Sequence, residues 1–191
     1  MRRAILGLCG GLILGLLGVA CDDPPAPTPA GAYNVAFSQP GGTCAIGSHQ
    51  SKLGEVGASG DPSLVTSGNE NSTTDCTIET ASGGFKVTAK VAGSASLSIS
   101  IPSISTQSTQ AEPADGTVNY ASSQTAGDVF SSQGGAACHF WVDTEAGQYV
   151  KAGEAWLTFE CPEIDSEANV CRISTSYVAV RNCLGATEED T

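Results

Sequence analysis

The chain has 191 residues and carries 8 Lys and Arg against 20 Asp and Glu, a formal net charge of −12. A surface of that sign repels phosphate backbones and anionic headgroups, which argues against nucleic acid as a partner. Two histidines and no Cys-x-x-Cys pair leave no zinc-type framework, and neither a metal nor another cofactor is expected.

Met1-Arg2-Arg3 is basic, and Ala4 to Ala20 is an uncharged run that ends in small residues. That is the pattern of an export leader over residues 1–20. The run falls short of the roughly 20 apolar residues of a membrane span and is diluted by five glycines. Gly18 and Ala20 satisfy ordinary signal peptidase. Leu17-Gly18-Val19-Ala20 before Cys21 also resembles the lipobox of bacterial lipoproteins, although Gly18 stands where a lipobox usually has Leu. Removal of Cys9 with the leader and acylation of Cys21 would leave six cysteines, an even number. Residues 21–31 then form a tether: Pro24, Pro25, Pro27 and Pro29 favour extended polyproline II.

A single β-domain is expected over 32–183. Tyr33, Val35 and Phe37 alternate with Asn34, Ala36 and Ser38, the period-two signal of a half-buried strand. From Cys44 to Asp75 the alternation dissolves into Gly, Ser, Asn and Asp, which predicts a long loop with at most one weak strand. Such a loop is uncommon unless stapled. Cys44 and Cys76 bracket it and form the preferred disulfide pair. Phe85 to Val91 and Leu97 to Ile101 alternate strictly around Ala92-Gly93-Ser94 and predict a hairpin. Pro102, which has no ladder donor, is expected to end its regular pairing. Weaker strands are expected over 117–122 and 129–131.

Farther on, Cys138, Phe140 and Val142 share one strand face, as do Leu157, Phe159 and Cys161 in the next. A turn centred between Tyr149 and Val150 sets Phe140 opposite Phe159 and Cys138 opposite Cys161. Ile173 to Asn182 reads as the last strand, with Cys171 and Cys183 at its ends. Residues 184–191 read as an acidic, disordered tail. No ten-residue segment after Ala30 has helical periodicity. The expected fold is therefore all-β, an antiparallel sandwich or barrel-like domain with long loops. Up to three disulfides among Cys44, Cys76, Cys138, Cys161, Cys171 and Cys183 staple it. Cys161 could join Cys138 or Cys171; the spacing leaves both open.

Catalytic signals are sparse. Gly57-Ala58-Ser59-Gly60 falls short of a serine-hydrolase elbow and precedes no helix. Asp143 with Glu145, and Glu163, Asp165 and Glu167, read as solvated acidic loops. Asp165, Glu167 and Asn169 alternate as cation ligands do, but Val170 and Ser176 stand where an EF-hand loop needs Gly and Glu. The candidate contact face is Trp141 and Trp156, on the strand faces opposite Phe140, Leu157 and Phe159. As diagonal neighbours about 7–8 Å apart, two indoles can stack a sugar or anchor a protein unless a loop covers them.

Gly31-Ala32-Tyr33-Asn34-Val35, Ile101-Pro102-Ser103-Ile104-Ser105, Cys138-His139-Phe140-Trp141, Phe159-Glu160-Cys161-Pro162 and Arg181-Asn182-Cys183 resemble stretches of small lipoproteins from soil-dwelling, predatory Gram-negative bacteria. The resemblance spans most of the exported part. It implies a surface or periplasmic lipoprotein and brings no activity, cofactor or site residue with it. The functional expectation is a non-enzymatic binding or structural module of the cell envelope. It would reach the membrane through its N-terminal lipid and take a glycan or protein ligand. The alternative is an envelope hydrolase with a loop-assembled site near His49 or His139.

Overall fold

The computed structural model describes residues 26–39, 43–132 and 137–185. The leader, Cys21 and the first part of the tether lie outside the described residues, as do 186–191 of the acidic tail. The elements in order are β1 (Ala30–Ser38), β2 (His49–Leu53), β3 (Val65–Thr66), β4 (Thr73–Ala81), β5 (Gly84–Ala92) and β6 (Ala95–Ile104). Then follow β7 (Ala114–Ser122), a 3-10 turn (Ser123–Thr125), β8 (Phe130–Ser131), β9 (Cys138–Trp141), β10 (Tyr149–Lys151), β11 (Glu154–Asp165) and β12 (Val170–Arg181). The fold is all-β, as its composition and alternation lead one to expect.

The strands form one sheet in the order β2-β1-β12-β11-β8-β7-β6-β5-β4, with β9 between β11 and β7, β10 on β11 and β3 on β1. Alternating apolar positions turn one face of every long strand inward. Tyr33, Val35 and Phe37 of β1 therefore meet Val87, Ala89 and Val91 of β5, Leu97, Ile99 and Ile101 of β6, and Leu157 and Phe159 of β11 in one buried cluster. The sheet curls so that its halves face each other. Tyr33 crosses the interior, its hydroxyl donating to the Ala95 carbonyl at 2.8 Å and accepting from the Ala95 N–H at 3.2 Å. Phe37 stacks on Tyr120 of β7 at 5.6 Å and meets Phe130 of β8 edge-on at 5.0 Å.

Past β12 the chain runs alongside β4. Leu184 pairs in parallel with Thr77; its N–H donates to the Cys76 carbonyl at 3.0 Å and its carbonyl accepts from the Ile78 N–H at 2.8 Å. Those bonds satisfy backbone groups on an edge that would otherwise be open to another chain. The expected 184–191 tail thus begins with an ordered residue. The expected tether likewise ends earlier than Gly31, since Ala30 and Gly31 already pair with Arg181 and Val180.

Three disulfides form: Cys44–Cys171, Cys76–Cys183 and Cys138–Cys161. They are the chemistry of an oxidising compartment outside the cytoplasm, and each contributes about 2–4 kcal/mol. The expected Cys44–Cys76 pair is not made. The stretch between these residues is not one stapled loop: β2 and β3 both pair with β1, and β4 is carried to the far end of the sheet order. Cys44 consequently faces the start of β12.

The register Phe140 with Phe159 and Trp141 with Thr158 is observed, and the two phenyl rings stack at 5.5 Å. The turn that produces it differs from the expected one. β10 pairs with β11 around Ala152-Gly153, with Tyr149 opposite Trp156, and Asp143 to Gln148 loops out, closed by a Gln148 N–H to Asp143 carbonyl bond of 2.9 Å. Regular pairing does end at Pro102, as expected: the register shifts between Phe85 and Val87 after the Val87–Ile101 pair, and the strand itself continues, pairing again at Ile104, as a bulge allows.

Candidate functional site

His49 enters β2 and lies half-buried against Phe37, the rings stacked with centroids 4.8 Å apart. Its Nδ1 is 2.9 Å from the Gly47 carbonyl oxygen. A carbonyl only accepts, so Nδ1 donates and the neutral ring presents Nε2 as an acceptor. Two hydroxyls compete for that lone pair, Tyr120 at 3.0 Å and Ser122 at 3.1 Å. Tyr120 also meets Ser51 Oγ at 2.8 Å, and Ser122 Oγ accepts the Gln124 N–H at 3.2 Å as the cap of the 3-10 turn. Polar groups at the inward positions of β2 are tolerated because each finds a partner.

A serine hydrolase needs an exposed hydroxyl held by a histidine, and Ser122 with His49 has that distance. The environment is less suited to it. Ser122 is only 9% exposed and Tyr120 is fully buried. No carboxylate forms an ion pair with His49 among the described residues. Nothing in the sequence marks Ser122 and Tyr120, because Tyr120 sits at an ordinary core position of β7 and Ser122 is the last residue of that strand, paired with Ala95.

His139 stands apart, outward on β9 between Asp115 of β7 and Glu160 of β11. Its Nδ1 lies 3.1 Å from Asp115 Oδ1, an open ion pair when the ring is protonated. No contact joins the two histidines. Of Asp165, Glu167 and Asn169, the last is engaged within the protein: Asn169 Oδ1 accepts the Ala45 N–H at 2.8 Å. Among the described residues no group of three or more His, Cys, Asp and Glu could hold a metal ion.

The candidate contact face is covered. Trp156 is 2% exposed and Trp141 7%, so neither indole is open for stacking. The sequence places both rings on the outer face correctly; a strap of residues 54–63 lies over Trp156, and Trp141 lies beside Thr109 and Gln110. Three successive strap carbonyls accept side-chain donors from below: Val56 from Asn34 Nδ2 at 3.3 Å, Gly57 from Trp156 Nε1 at 3.2 Å and Ala58 from Gln148 Nε2 at 3.2 Å. Under it Trp156 packs with Ala32, Val56 and Ala179, flanked by Leu64, Tyr149 and Tyr177, as a second small core.

No protein-family model, curated protein or solved structure matches the chain. Among the described residues no helix is long and apolar enough to cross a membrane.

Proposed function

We propose that this chain is an exported lipoprotein, tethered to a membrane through an acylated Cys21, whose β-domain serves the cell envelope as a non-enzymatic binding or structural module. The pairing of cysteines carries the proposal. The three disulfides take all six of Cys44, Cys76, Cys138, Cys161, Cys171 and Cys183, so an exported chain that has lost Cys9 keeps only Cys21 to modify. The prolines that follow Cys21 act as a stand-off, rising about 3.1 Å per residue. The engagement of His49, Tyr120 and Ser122 in one another supports the non-catalytic part. Mass spectrometry of the N-terminal peptide from full-length protein made in a Gram-negative host tests the tether. An acylated Cys21 in the membrane fraction, and a soluble Cys21→Ser variant, are the expected results. A free Cys21 thiol on a soluble wild-type chain would remove the tether from the proposal.

One observation favours the hydrolase as a second reading: the 3.1 Å approach of Ser122 Oγ to His49 Nε2. A fluorophosphonate probe decides it. Labelling of the wild type that is lost in both Ser122→Ala and His49→Gln would establish a reactive serine. An unlabelled wild type dismisses it.

A further inference from the structure

The outer face of β4 to β7 carries two polar rungs that run straight across the strands. Thr77 pairs with Thr88, Thr88 with Ser100 and Ser100 with Thr117. Beside them run Asp75, Lys90, Ser98 and Asn119. Between the rungs lies a groove of about 320 Å³, lined by these side chains over the backbone of Cys76, Ala89 and Ile99. It adjoins a second hollow of about 380 Å³ that shares Ser100 and Thr117 and is walled by Pro102, Asp115 and Ser132.

Two properties suit this face to a polar, uncharged ligand. The first is the state of its hydroxyls. Those of Thr77, Thr88, Ser98, Ser100 and Thr117 bond to no other protein group and project together from four adjacent strands. The second is charge. In a chain of net −12, the only charged side chains lining the first groove are Asp75 and Lys90, which lie opposite each other and are of opposite sign. Asp115 stands in the adjoining hollow, and within this groove a ligand meets no excess of either sign. What it meets is a lattice of groups that both donate and accept, repeating every 4.7–4.9 Å or so from strand to strand.

The structure thus assigns this groove, on our reading, to a neutral oligosaccharide lying across the strands, with about one pyranose ring per strand. This rests on the binding-module proposal above and names its ligand class. Each ring offers hydroxyls of the same donor-and-acceptor kind, and the amide of Asn119 adds a directional contact. No aromatic ring lines the groove, so stacking contributes nothing and a single site binds weakly, with a Kd near the millimolar range, about −4 kcal/mol. Copies tethered at high density on a membrane would bind a polymer far more tightly than one copy does.

The test is NMR titration of the 15N-labelled exported domain with cellotetraose, maltotetraose and chitotetraose at up to ten millimolar. Saturable shifts confined to the amides of Thr77, Thr88, Ser98, Ser100, Thr117 and Asn119 with at least one sugar are expected. They should weaken at least tenfold in a Thr88→Ala/Ser100→Ala/Thr117→Ala variant. These positions are exposed, and an unchanged spectrum for the remaining amides shows that this variant still folds. An Asn119→Ala variant is the second arm and should weaken the same shifts. Absence of shifts with all three sugars overturns the inference. Shifts that map to the strap or to the His49 cluster overturn it too, while leaving the binding-module proposal standing. Should the wild type also bind no isolated envelope polysaccharide or envelope protein, that proposal falls as well.

Discussion

Tyr33 shows how one residue can depend on pH without taking part in any chemistry. Its ring is fully buried and its hydroxyl answers both backbone groups of Ala95. Burial pushes its pKa above the ordinary value, partly opposed by the hydrogen bond to Ala95. In the unfolded chain a tyrosine ionises near pH 10. The folded state holds its proton longer, so the contribution of Tyr33 is intact below that pH and declines as pH rises toward its folded pKa. Urea midpoints should be flat through neutral pH and drop above about pH 10. In Tyr33→Phe that alkaline drop should be shallower, while stability at pH 7 falls by about 1–3 kcal/mol as the Ala95 N–H loses its partner. An equally steep drop in the variant would assign the alkaline sensitivity to other groups.

The side of the strand that Tyr33 occupies was legible from alternation with Asn34. Its partner 62 residues away was not, because no local pattern encodes a contact across the interior. His49 and Ser51 show the converse. They point inward from β2 but are polar, so the pattern that marks strands elsewhere is inverted there. The hydroxyl of Tyr120 that pairs with both lies far along the chain.

At the scale of elements, the strap decides the fate of Trp156. It is pinned by three side-chain bonds and by reciprocal backbone bonds between Glu55 and Ser63 of 2.9 and 2.8 Å, with little apolar contact beyond Val56 and Leu64. Gly54 makes the sharp entry, with φ at +61°. A Cβ there would also strike the Ser63 carbonyl oxygen. A Gly54→Val change in a Trp141→Phe background should therefore lift the strap and leave the main core alone. Trp156 emission should shift to the red and become open to acrylamide, with an unchanged far-ultraviolet spectrum. Emission that stays blue and protected would mean that the strap tolerates a side chain at its entry. Exposure was the part of the tryptophan reading that sequence could not supply. The face follows from period two, but what covers it depends on where a Gly-rich segment lacking any periodicity comes to rest.

At the scale of the whole molecule, what was legible divides by distance along the chain. The β5–β6 hairpin and the β9–β11 register follow from neighbouring alternations. The register was recoverable despite a misplaced turn, because Asp143 to Gln148 leaves the ladder as a closed loop and the apolar faces still meet. The joins of β1 to β12 and of the segment after β12 to β4 are not written in any local window. The two disulfides that depend on them, Cys44–Cys171 and Cys76–Cys183, were equally out of reach. The oxidising compartment, which needs only the number of cysteines, was not.

Those two bridges overlap along the chain, and this has a consequence for survival among proteases. A single cut between Cys44 and Cys171 leaves both fragments joined through the first bridge, and one between Cys171 and Cys183 leaves them joined through the second. An exposed loop in that span can therefore be nicked without either fragment being lost. On a gel, such a nicked protein would run at full size until reduced. A domain of this design could lose one peptide bond and still remain one molecule.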